Sequence, residues 1–182
     1  TEELFKMLPV VLVLALAMRR RAARPSVLDV TLIGAWSGAG FSLYENAAFG
    51  RGIFSLSASP LVSLFFPSTL NAKAMGWTMS QTGHLVHTAV IALGVAFALT
   101  YGRRMRRPWI APVGAIAAVL AEHCSQNAIV SGQLNGIVAK AAIILTLGGR
   151  LTPLMLIGGV AYVLVLEWRA VGRPKQLEDW VR

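Results

Sequence analysis

The sequence predicts an all-α, polytopic membrane protein: about five transmembrane helices plus one short interfacial or re-entrant helix, in a single domain over 1–182. Three observations lead there. The chain is 55% apolar, with a mean hydropathy of +0.62. Only 14% of its residues are charged, against roughly 25% in soluble globular domains. The charges also cluster between long apolar runs, as in proteins that cross a bilayer several times. Disorder is excluded by the same composition. Cys124 is the single cysteine, so no disulfide scaffold exists within the chain. A net charge of +9 would suit nucleic acid if it lay on one soluble face. Here it lies in loops, and no nucleic-acid partner is expected.

A hydrocarbon core of about 30 Å needs roughly 20 helical residues. The spans are read at Leu4–Met18, Val27–Phe49, Met75–Tyr101, Trp109–Val130 and Leu151–Trp168. The first is short and follows Glu2, Glu3 and Lys6 directly; Thr1 in place of methionine leads us to expect sequence upstream. Ile137–Leu147 reaches only about 17 Å as a helix and carries Lys140, hence the interfacial or re-entrant reading. Arg51–Asn71, with Pro60 and Pro67, is the longest loop between spans.

Basic residues orient the set. Arg19, Arg20, Arg21 and Arg24, then Arg103, Arg104, Arg106 and Arg107, then Arg169, Arg173, Lys175 and Arg182 all fall on one side. Arg51, Lys73, Lys140 and Arg150 fall on the other. Positively charged loops stay cytoplasmic, so the Arg-rich loops and the basic tail 169–182 are placed inside, with the protein integral to the cell membrane.

Ionisable groups within spans are costly and mark functional sites. Glu45 and Asn46 stand near the outer end of the second helix. His84 and His87 lie in the outer half of the third, and Glu122, His123 and Asn127 in that of the fourth. Glu2 and Glu3 begin the first helix at the same side. Four helices therefore bring polar groups to one depth. Gly34, Gly38 and Ser42 form a small-residue stripe that lets helices approach closely, and Glu45 continues that face. Gly76, Ser80 and His84 are read as a similar row on the third helix. His123 and Asn127, at i and i+4, share a face, whereas Glu122 is turned by about 100° and ranks lower. Taken singly, each feature has a plain explanation: packing for the glycines, an interhelical hydrogen bond for one histidine, a helix N-terminus for the two glutamates. Their convergence is what raises the functional reading.

The motifs Glu2-Glu3-Leu-Phe-Lys6 (EExxK), Phe41-Ser-Leu-Tyr-Glu45-Asn46 (FxxxEN), His87 followed by Gly94, and His123-Cys-Ser-Gln-Asn127 (HxxxN) occur in that order. Together, from residue 2 to about 130, this set resembles the PrsW family of intramembrane proteases, relatives of the CAAX-processing and bacteriocin-immunity membrane proteases. The resemblance implies a glutamate-dependent endopeptidase that cuts membrane-anchored proteins, an anti-sigma factor among them, near the outer leaflet. It implies catalytic roles for Glu2, Glu3, Glu45, His87, His123 and Asn127, with Lys6, Asn46 and His84 in support. Glu2 or Glu3 would take a proton from water, and His123 and Asn127 would donate to the oxyanion. No cofactor is expected on that mechanism. The alternative is a zinc-dependent protease with Glu3, Glu45, His87 and His123 as ligands, although Glu122-His123 is followed by Cys-Ser-Gln and no HExxH helix occurs. A transporter would string its polar groups across the membrane, and a membrane scaffold would tolerate their loss.

Overall fold

The computed structural model describes residues 2–20, 25–48 and 72–171. They form α1 (Glu2–Arg20), α2 (Val27–Ala48), β1 (Ala72–Ala74), β2 (Trp77–Met79), α3 (His84–Tyr101), α4 (Ile110–Val130), α5 (Gly136–Leu145) and α6 (Leu151–Val171). A 3₁₀ turn, Gly102–Arg104, prolongs α3. Asn46 lies within α2. The Arg51–Asn71 loop, Phe49, Arg21, Arg24 and tail residues 172–182 lie outside the described residues.

Three described helices are long and apolar enough to cross a membrane: His84–Arg104, Ile110–Val130 and Leu151–Ala170. The outward faces carry Leu12, Leu32, Ile157 and Trp168, all exposed. Such a surface would aggregate in water and needs no cover in lipid. The protein is an integral membrane protein. α1 and α2 reach 19 and 22 residues, but their polar residues dilute the hydropathy, so the five expected spans are not all distinguishable by composition. α5 has only 10 residues, about 15 Å of rise, too short to span.

α3 is the central helix. Its Ala92, Leu93, Ala96 and Tyr101 join Val10, Val27, Val30 and Val163 in one core cluster, drawn from α1, α2 and α6. Its Val86, Val90 and Ile91 join Ala115 and Val119 of α4 in a second. Small residues set the approach. A Cβ on Gly34 would lie 2.5 Å from that of Ala92 and 2.9 Å from the Thr88 carbonyl oxygen. A Cβ on Gly38 would run into the His84 carbonyl. Gly94 faces Ala111 of α4 in the same manner, at 2.9 Å. Membrane helices lack a hydrophobic force between them and associate through such contacts.

Two capping details fix the outer helices. Ser26 and Asp29 bond each other's backbone N–H groups at the start of α2, at 3.1 and 2.9 Å, a reciprocal cap. In α1, Pro9 removes one helical donor, and Ser37 of α2 donates to the Lys6 carbonyl one turn away. That bond docks α1 on α2 beside Lys6.

The third helix begins at His84, not at Met75. Met75 and Gly76 have φ of 49° and 77°, the two left-handed residues of a tight hairpin turn, and Ala72–Ala74 pairs antiparallel with Trp77–Met79. Gly76, Ser80 and His84 therefore do not form a helical row; the glycine serves the turn. Beyond β2 the chain is clamped by the α5–α6 connection. Ser80 N–H donates to the Gly148 carbonyl at 2.9 Å, and the Thr82 hydroxyl to that of Gly149 at 2.7 Å. Gly149 has φ of 79°, and a Cβ there would strike the Ser80 carbonyl. Met79 seats this clamp against Ile129, Ala139 and Ile143.

Candidate active site

Successive helices run in opposite directions, so the start of α1, the end of α2, the start of α3 and the latter half of α4 meet at one end of the bundle. The residues that meet there are Glu3, Lys6, Glu45, His84, His87, Glu122 and His123. His84 opens α3 and His87 follows three residues later, so both rings lie on one side of its first turn.

Lys6 is the hub of the α1 contribution. Its side chain is fully buried, and its ammonium donates to Glu3 Oε1 at 2.7 Å and lies 2.8 Å from His84 Nδ1. It also stands 4.4 Å from the centroid of the Phe41 ring, a favourable cation–π distance. A lysine so placed needs these partners, because a buried ammonium without them is costly. His84 Nε2 lies 2.7 Å from Glu45 Oε2. With Lys6 donating to Nδ1, His84 donates its Nε2–H to Glu45. Glu45 thus steers His84, and the Phe41 ring packs edge-on against the same imidazole at 5.1 Å.

His123 Nδ1 is 3.0 Å from Glu3 Oε1, and its ring stacks on that of His87 with centroids 5.5 Å apart. Glu2 stands at the rim: its side chain is 56% exposed, and its carboxylate is 3.9 Å from both Lys6 Nζ and His123 Nε2. The Glu3 side chain, at 13%, is the inner one. Of the two adjacent glutamates, the geometry places Glu3 within the cluster and Glu2 beside it.

Glu122 is the residue that helical-wheel reasoning undervalued. It is fully buried. Its Oε1 lies 3.5 Å from His87 Nε2, and it accepts the Thr152 N–H at 3.0 Å and the Thr152 hydroxyl at 2.9 Å. The 100° offset from His123 is real, but it turns Glu122 toward the start of α6 and His87 rather than toward lipid. The available signal was simply its charge: a carboxylate in a membrane helix needs an interior partner. Asn127 is exposed on α4, one turn beyond His123, while its neighbour Gln126 is buried.

Glu3, His84, His87 and His123 can each offer one ligand atom such that all four atoms lie within 4.8 Å of one another. Two buried atoms of this set, Glu3 Oε2 and His87 Nδ1, have no hydrogen-bond partner among the described residues. Buried polar atoms are normally satisfied, and two unsatisfied lone pairs within one His₃Glu set suit a borderline-soft divalent cation such as zinc. Glu3, His87 and His123 fit a metal, whereas both nitrogens of His84 are already engaged, by Lys6 and Glu45. Glu45, an alternative ligand on the sequence reading, is instead bonded to His84.

A buried carboxylate–histidine cluster thus lies at one end of the helical bundle. Residues 1–157 match the family described as PrsW family intramembrane metalloprotease, and the chain belongs to that family. It is a membrane-embedded peptidase, and its substrates are membrane proteins. No curated protein and no solved structure matches the chain.

Proposed function

We propose that this protein is an endopeptidase that hydrolyses peptide bonds of membrane-anchored proteins at the Glu3–His84–His87–His123 cluster, with a divalent cation, zinc by preference, held by Glu3, His87 and His123. That set leaves a fourth position for water, while His84 stays bonded to Lys6 and Glu45. The observation that carries the reading is the pair of buried, unpartnered ligand atoms, Glu3 Oε2 and His87 Nδ1, inside a four-residue cluster. Glu3, His87 and His123 would hold the cation, which would supply the Lewis acidity that peptide hydrolysis needs. The chain's own groups do the rest. Glu45 holds His84 by its Nε2–H. Glu3 supplies the anionic ligand, with Lys6 balancing its charge. Asn127, exposed one turn beyond His123, donates to the oxyanion as the substrate carbonyl becomes tetrahedral.

Lys6 favours a second reading. Its ammonium already supplies a cation to Glu3 and His84, as a metal-free, glutamate-dependent site requires. In that reading Glu3 alone activates water and His123 and Asn127 stabilise the oxyanion. A strong chelator separates the two. Purified protein in detergent, incubated with single-pass substrates, should lose cleavage on chelation and regain it with zinc. Cleavage that persists with no bound metal detectable selects the glutamate-only route.

The basic-residue distribution supports an outer-leaflet site, with the 103–107 loop and the C-terminal tail cytoplasmic. The family resemblance suggests an anti-sigma factor as one substrate of this class. Co-expression with a single-pass anti-sigma factor, scored for a cut on its extracytoplasmic side, tests that choice.

A further inference from the structure

Glu122 is the one fully buried carboxylate among the described residues, and no step proposed above uses it. Its environment is specific. Thr152 is the second residue of α6, so its N–H is among the first-turn donors that no helical carbonyl can satisfy. Glu122 Oε2 accepts that N–H at 3.0 Å, and Oε1 accepts the Thr152 hydroxyl at 2.9 Å. The helix dipole favours an anion at this position. The carboxylate is thereby locked in place from the α6 side. On its other side stands His87 Nε2, 3.5 Å from Oε1, the long end of a hydrogen bond. The remaining nitrogen of that ring, Nδ1, is buried and unpartnered, and His87 is one of the four residues of the cluster.

We propose that Glu122 is the positioning residue for His87: it holds the imidazole with Nε2 protonated and Nδ1 bare, so that a lone pair rather than an N–H is presented to the cluster. The inference rests on the reading of that cluster as the reaction centre. A carboxylate accepts on both oxygens and can only receive a proton from Nε2. An isosteric amide cannot do the same. In Glu122→Gln the carbonyl oxygen is claimed by the Thr152 N–H, which has no other orientation to adopt. The amide NH₂ then occupies the Oε1 position and donates. The Thr152 hydroxyl can rotate to accept, but His87 must turn Nε2 into an acceptor, which moves its proton to Nδ1. Charge and tautomer change together while the volume is kept. Carboxylates behind ligating histidines govern metal affinity in this way, at about 10–100-fold.

The chain has only three histidines, so ¹⁵N-histidine spectra of the metal-free protein in detergent are readily assigned with His84→Gln and His123→Gln variants. In the unmodified protein the His87 shifts should report a protonated Nε2 and a bare Nδ1. Glu122→Gln should invert them and weaken zinc binding by about 10–100-fold, measured by calorimetry. Thr152→Val, which keeps the carboxylate, should leave the tautomer unchanged. A protonated Nδ1 in the unmodified protein overturns the proposal, whatever the variant does, and so does a Glu122→Gln protein with an unchanged tautomer. Should the unmodified protein show the expected tautomer yet bind no zinc, the positioning role stands and the metal part of the proposed function fails.

Discussion

Glu2 and Glu3 are adjacent in sequence and differ in circumstance, which gives the sharpest test of the site. Glu3 accepts from Lys6 and His123, whereas Glu2 is more than half exposed and 3.9 Å from its nearest partners. Glu3→Gln keeps the volume and removes the carboxylate, ligand in one reading and base in the other, so it should lower turnover by about 10²–10⁴-fold with unchanged levels of folded protein and with uncut substrate still captured. Glu2→Gln should stay within about tenfold of the parent, since exposed ion pairs contribute little. Equal losses in the two variants would move that assignment away from Glu3. Asn127→Ala should cut kcat by about 10²–10³-fold with little change in KM, the signature of a donor used only in the transition state. A change confined to KM would make Asn127 a substrate contact instead.

At the scale of elements, the seam between α2 and α3 sets the position of His84. Gly38 abuts the His84 carbonyl, so any side chain there must push the two helices apart. Overpacking of this kind costs about 1–3 kcal/mol. Gly38→Val should lower the thermal midpoint in detergent and also reduce cleavage, because His84 moves away from Lys6 and Glu45. Gly40, against which a Cβ would meet nothing, is the matched control, and Gly40→Ala should alter neither property. A Gly38→Val protein with parental cleavage would show that the seam does not govern the site. The hairpin and its exit are the element that the hydrophobic pattern concealed. Met75 to Met79 is apolar enough to extend the following helix, and only the turn geometry at Met75 and Gly76 separates them.

At the scale of the whole molecule, the arrangement of charged loops predicts a single orientation in the membrane. Cys124 is exposed, so the test starts from Cys124→Ser and places one new cysteine at Ser57 or Met105. An impermeant thiol reagent applied to intact cells should label position 57 and spare position 105. The reverse pattern would overturn the orientation and put the cluster at the inner leaflet.

Much of this was legible in the chain itself. Long apolar runs can only satisfy their backbone as helices in lipid, so hydropathy alone determines the class of fold, and four ordered motifs point to the family. Glycines at i and i+4 imply a close helix contact without naming the partner, and the ionisable residues within spans imply an interior site. Tertiary structure decided the rest, because each outcome depends on groups far apart in sequence. Glu3 and not Glu2 enters the cluster since His123, 120 residues away, reaches it. Glu122 gains its importance from Thr152 at the start of a different helix. Asn127 is exposed because Gln126 takes the inward face of α4. Periodicity reports which side of a helix a residue occupies, but only the packing of the other helices decides whether that side meets lipid, a carboxylate or a histidine ring.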